Sequence, residues 1–147
     1  MQELFKMLGQ IYDLLEQISV ITANQTTVLL QSSETTEEAN NALNLLNDMV
    51  NYKDEIMNRL ILEEERFDNA YSRYRGKITD PTYMSMFKEW VERIMEKKKE
   101  IVEIEKNNVI VMQNISNKRI KRMSIPKDAK EVTMAYKKTA GEKLNLK

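Results

Sequence analysis

The sequence predicts an all-α protein, an elongated antiparallel bundle of three long helices followed by a basic, partly mobile C-terminal tail or short helix. Three observations predict it. Glycine and proline are scarce, at 3 and 2 in 147 residues, so the chain has few places to turn. Apolar residues recur every three or four positions over long stretches, the period of one helix face. The strongest boundary, Asp80-Pro81, pairs a capping residue with the imino acid best tolerated at the first helical position.

The first helix runs from about Glu3 to Gln31, on a stripe of Leu4, Leu8, Ile11, Leu15 and Ile18. The polar stretch from Ser32 to Thr36 interrupts it, and Thr35 with Glu38 has the capping-box spacing that starts a second helix. That helix extends to about Tyr74. Ala42, Leu45, Met49, Tyr52, Ile56, Leu60, Phe67 and Tyr71 fall on one side, and Leu43, Leu46, Val50 and Met57 widen it. So broad a face suits a helix with two neighbours. Gly76 supplies a stop.

From Pro81 the third helix carries Tyr83, Phe87, Trp90, Ile94, Ile101, Ile104, Val111 and Ile115 on its stripe, with Lys97 and Asn108 on the same side. It is about 35 residues, or about 50 Å, long. The aromatic group Tyr83, Phe87 and Trp90 reads first as core. Asn108 has two readings, a buried residue that fixes register or the point where the bundle ends. The bundle is expected over 1–122 and the tail over 123–147.

Charge is unevenly placed. Lys plus Arg and Asp plus Glu both number 23, so the net charge is zero. Residues 1–75 nevertheless hold thirteen acidic and six basic side chains, and residues 118–147 ten basic and three acidic. The balanced total does not suit a nucleic-acid binder. Glu63-Glu64-Glu65 and Lys97-Lys98-Lys99 read as solvated helix faces.

Catalytic residue types are missing. The sequence has no His and no Cys, which removes the usual general base, the common transition-metal ligands and every Ser-His-Asp or Cys-His arrangement. No glycine-rich phosphate loop is present. No catalytic residue, cofactor or metal is therefore expected, and the chain is not expected to be an enzyme. No stretch has the pattern of a signal peptide or the roughly 20 apolar residues of a membrane span, so a cytoplasmic location is expected.

Three stretches carry a family resemblance. They are the front helix with Leu4, Leu8, Ile11 and Leu15; Tyr52-Lys53-Asp54-Glu55-Ile56 running through Leu60 to Phe67-Asp68-Asn69-Ala70-Tyr71; and Ile101 to Met112, with Ala135-Tyr136-Lys137-Lys138 in the tail. In these the chain resembles the FlgN-like and FliT-like export chaperones of the bacterial flagellar type III system. The resemblance implies a chaperone that shields helical segments of a secreted hook-associated or filament-cap protein and delivers them to the export apparatus. It implies partner-binding residues near the end of the third helix and beyond: Val111, Met112, Ile115, Met123, Val132 and Tyr136. The alternative is a structural coiled-coil adaptor that self-assembles through its helix stripes, with a homodimer as its simplest form.

Overall fold

The computed structural model describes residues 1–31 and 36–120. It contains three helices, α1 (Gln2–Leu30), α2 (Thr36–Tyr74) and α3 (Pro81–Ile120), and no strand among the described residues. The expected all-α architecture is the observed one. Residues 123–147 and the capping Thr35 lie outside the described residues.

The turn between α2 and α3 follows the local chemistry of its residues. The Lys77 amide donates to the Tyr74 carbonyl at 2.9 Å and closes α2 just around Gly76. Asp80 then caps α3: its Oδ1 accepts from the Thr82 amide at 2.9 Å, and its carbonyl from the Met84 amide at 3.1 Å. Pro81, with no amide hydrogen to satisfy, occupies the first turn.

Helix α1 is the centre of the bundle. Both α2 and α3 lie along it, while no Cα atom of α2 comes within 8 Å of one in α3 among the described residues. The two flanking helices meet instead through long side chains. Lys98 Nζ sits 2.7 Å from Glu64 Oε1, and the Tyr71 and Phe87 rings meet edge to face with centroids 6.1 Å apart. This arrangement explains the composition of α1, whose stripe Leu4, Leu8, Ile11, Leu15 and Ile18 is fully buried and joined by Met7 and Ile21. A helix covered on two sides needs a broader apolar surface than a flanking one.

The main core gathers the α1 stripe with Ile56, Met57, Leu60 and Ala70 of α2 and Phe87, Ile94 and Ile101 of α3. Aromatic contacts lock its end near the α2–α3 turn. Phe5 stacks on Phe87 with centroids 4.6 Å apart, and Tyr12 meets Trp90 edge-on at 6.1 Å. Trp90 is only half-buried, with the Arg93 guanidinium over its ring at 4.7 Å. Tyr83 is exposed, so the aromatic group is core at Phe87 and surface at Tyr83.

Two stripes differ from expectation. In α2 the buried ladder is Leu46, Val50, Lys53, Met57 and Leu60, with Ile56 beside it. Leu45 and Tyr52, expected inside, are exposed. In α3 the ladder continues from Ile101 through Glu105, Asn108 and Met112, and Ile104 is half-buried at its side. Glu63 and Glu64 are not fully solvated either: Glu63 pairs with Arg66 and Glu64 with Lys98, both half-buried. Lys97 likewise reaches across to Glu16 of α1 at 2.8 Å. That contact holds the Glu16 carboxyl below the usual range and the Lys97 amine above it.

Gly9 sits within α1 with no structural need for a glycine. A Cβ placed there would stand 4.0 Å from the Trp90 ring, an ordinary contact. Gly9→Ala should raise stability by about 0.5–1 kcal/mol, because it removes unfolded-state freedom without a clash. A higher denaturation midpoint in urea would confirm it, and an unchanged or lower one would show that the ring cannot accommodate the methyl.

Candidate functional site

Above Ile21 the interior changes character. Helix α1 brings Thr22, Gln25 and Thr26 inward, α2 brings Lys53, and α3 brings Glu105 and Asn108. Lys53 is 1 % exposed and Glu105 2 %, and Thr22, Gln25 and Asn108 are sealed completely. All three helices therefore contribute to one buried polar layer.

The layer is a connected network. Lys53 donates to the Glu105 carboxylate in a salt bridge, and to Gln25 Oε1 at 2.5 Å. The Thr22 hydroxyl lies 2.7 Å from the Ile18 carbonyl and 3.2 Å from Glu105 Oε1, so it bonds one of these acceptors at a time. Asn108 Nδ2 donates to the Thr22 carbonyl at 3.0 Å, and the Thr26 hydroxyl donates to Asn108 Oδ1 at 2.5 Å. Two buried atoms of the layer have no protein partner, Gln25 Nε2 and Glu105 Oε2. Burial lowers the Lys53 amine from its ordinary value and outweighs the opposing pull of Glu105.

The layer divides the apolar interior. Below it lies the main core. Beyond it, toward the end of α1, the start of α2 and the end of α3, is a second, much smaller cluster. Leu29, Leu46 and Met112 form its buried centre, and Val28, Val111 and Ile115 pack half-buried around them. Three large apolar side chains at the same end remain in solvent: Leu30 is 70 % exposed, Ile110 55 % and Leu45 49 %.

The residues expected to bind a partner thus separate. Val111, Met112 and Ile115 come together in the small cluster, with Met112 only 3 % exposed and facing its own bundle. Met123, Val132 and Tyr136 lie outside the described residues. Asn108 proves buried, and because Met112 continues the core past it, it is not the end of the bundle.

Two other surface features stand out. On α3, Met84, Val91 and Met95 are exposed at spacings of seven and four, one outward stripe. Between α1 and α2 an open groove is lined by Asp13, Leu14 and Gln17 on one side and Arg59, Leu62 and Arg66 on the other. Its charges are of both signs, and it offers no convergent set of reactive groups. No group of three or more Asp or Glu side chains among the described residues is placed to hold a metal ion, and no described helix is long and apolar enough to cross a membrane.

Comparison with protein-family models, with curated proteins and with solved structures gives no match. Function is therefore read from the site itself.

Proposed function

We propose that this chain is a protein-binding helical chaperone, which shields amphipathic helices of a client at the end of the bundle beyond the polar layer. The observation that carries the reading is the state of that end. A core of three buried side chains is surrounded by partly covered Val28, Val111 and Ile115 and by solvent-facing Leu30, Leu45 and Ile110. Apolar side chains at helical spacing are what a client helix covers in helix-in-groove recognition. The resemblance to flagellar type III export chaperones supplies the client class: helical segments of a hook-associated or filament-cap protein, held before export in the cytoplasm and passed to the export apparatus.

The test is capture of purified C-terminal helical segments of such proteins by the full chain. Leu45→Asp and Ile110→Asp replace exposed residues, so helix content by circular dichroism should stay unchanged. Each should weaken capture at least about tenfold, the loss of one well-covered anchor. Absence of any binding by the parent chain, or unaltered binding by both variants, rules out this end as the site.

A second reading, self-assembly, is favoured by the outward stripe Met84, Val91 and Met95. It places the contact on the middle of α3 rather than at its end. Met95→Glu would then reduce the mass in solution and leave client capture intact.

A further inference from the structure

The polar layer lies where a continuous bundle would place apolar side chains, and its position sets how the bundle comes apart. We infer that the end beyond the layer opens as a unit while the rest of the bundle stays closed, α3 from Val109 onward lifting from the α1–α2 hairpin with the layer as the seam.

Four observations on different atoms agree. First, apolar contact is discontinuous: the buried side chains form two separate clusters, and the farther one has only Leu29, Leu46 and Met112 at its centre. Opening that end forfeits little apolar burial compared with opening the main core. Second, two atoms of the layer gain from water at the seam. Gln25 Nε2 and Glu105 Oε2 have no protein partner when the bundle is closed, and both meet water once it opens. Third, α1 is weakened at this level by its own hydroxyls. The Thr27 hydroxyl donates to the Ala23 carbonyl, four residues back, and those of Thr22 and Thr26 reach the Ile18 and Thr22 carbonyls at the same spacing, in alternation with Glu105 and Asn108. Such back-bonding competes with the helix ladder and bends helices locally. Fourth, connectivity decides which helix moves. α1 ends and α2 begins at this end, so the chain joins those two helices here, whereas it joins α3 to α2 at the opposite terminus of α3.

The consequence concerns access. Met112 is sealed in the closed bundle, so a partner helix reaches it only after α3 lifts. Opening uncovers Leu29, Leu46 and Met112 together with Val28, Val111 and Ile115, a surface of the size and chemistry of one face of an amphipathic helix. The inference shares its site with the proposed chaperone function, but opening is measured without any partner, so the two fail separately.

Hydrogen exchange of the full chain, alone in solution and followed by mass spectrometry, tests it. Amides of residues 24–30, 42–50 and 109–117 should exchange together, at least about tenfold faster than those of residues 8–18, 57–67 and 90–101. The double substitution Lys53→Met with Glu105→Leu makes the interior apolar across the seam and should bring the two groups to within about threefold of each other. Met112→Ala, which leaves the seam in place, should accelerate only the far group. Equal protection at both ends of the parent chain overturns the inference. So does a smooth gradient from the helix termini that the double substitution leaves unchanged, because that is end fraying without a seam. Acceleration of both groups by Met112→Ala overturns it as well.

Discussion

Lys53→Met is expected to lower folding stability by about 3–5 kcal/mol, although the substitution looks mild by volume. The reason is what it leaves behind. Glu105 is 2 % exposed, and its carboxylate accepts from the buried Lys53 amine, with the Thr22 hydroxyl shared between it and the Ile18 carbonyl. Without the amine it is a buried charge with no counter-charge, and its Oε2 already lacks a protein partner. Adding Glu105→Leu removes the charge itself. The double variant should therefore recover the loss and equal the parent or exceed it by about 1–4 kcal/mol, as apolar replacement of whole buried ion pairs often does. Urea melts of parent, single and double variants form the test. A single-variant loss under about 1 kcal/mol would mean that water reaches Glu105.

The same pair sets a pH dependence with a definite sign. The folded Lys53 amine titrates below the 10.5 of a free lysine because burial disfavours its charged form. Between those two values the unfolded chain binds more protons than the folded one. Stability from this site therefore rises with pH across the window that ends at 10.5. Subtracting the double variant's stability from the parent's at each pH removes the contribution of the other titrating groups. A difference that falls across that window would show that Glu105, and not burial, governs the amine.

That network also explains which parts of the molecule could be read from residues alone. The α1 stripe was legible from Leu4 to Ile18, where every ladder position is apolar and α1 is covered from both sides, but not where polar Thr22 and Gln25 continue it. The start of α3 was legible because Asp80 and Pro81 state a helix start in chemistry independent of packing, whereas its end was not: the helix runs 40 residues to Ile120 rather than about 35. The inward faces of α2 and α3 were not fully legible, and one cause serves both. A search for apolar periodicity skips charged residues, so it draws the α2 ladder through Leu45 and Tyr52 and passes over Lys53. On α3 it steps from Ile101 to Ile104 and passes over Glu105. Each charge is buried only because the other is, and that pairing joins residues 52 apart in sequence. The available signal was the spacing: Leu46, Val50, Lys53, Met57 and Leu60 keep an unbroken four-three rhythm once the lysine is admitted. Asn108, like Lys97, falls on the apolar stripe itself and is conspicuous there, whereas Glu105 stands one residue off it.

Leu15→Ala should be comparably costly by a different route, at about 2–5 kcal/mol. Leu15 is wholly buried in the main core, on the helix that both others lie along. Deleting its branched end removes apolar burial and leaves a cavity that neighbours from three helices cannot readily collapse. The loss should appear in urea melts as a lower midpoint with unchanged slope. Its distribution is as informative as its size. Every opening that breaks the main core becomes easier by the full amount, so amides of residues 8–18, 57–67 and 90–101 lose protection together. Opening beyond the polar layer leaves Leu15 packed, so the exchange of residues 109–117 should hardly change. A uniform loss across both ends would instead mean that the bundle unfolds as one cooperative block, in which Lys53 and Glu105 hold the helices together without dividing them.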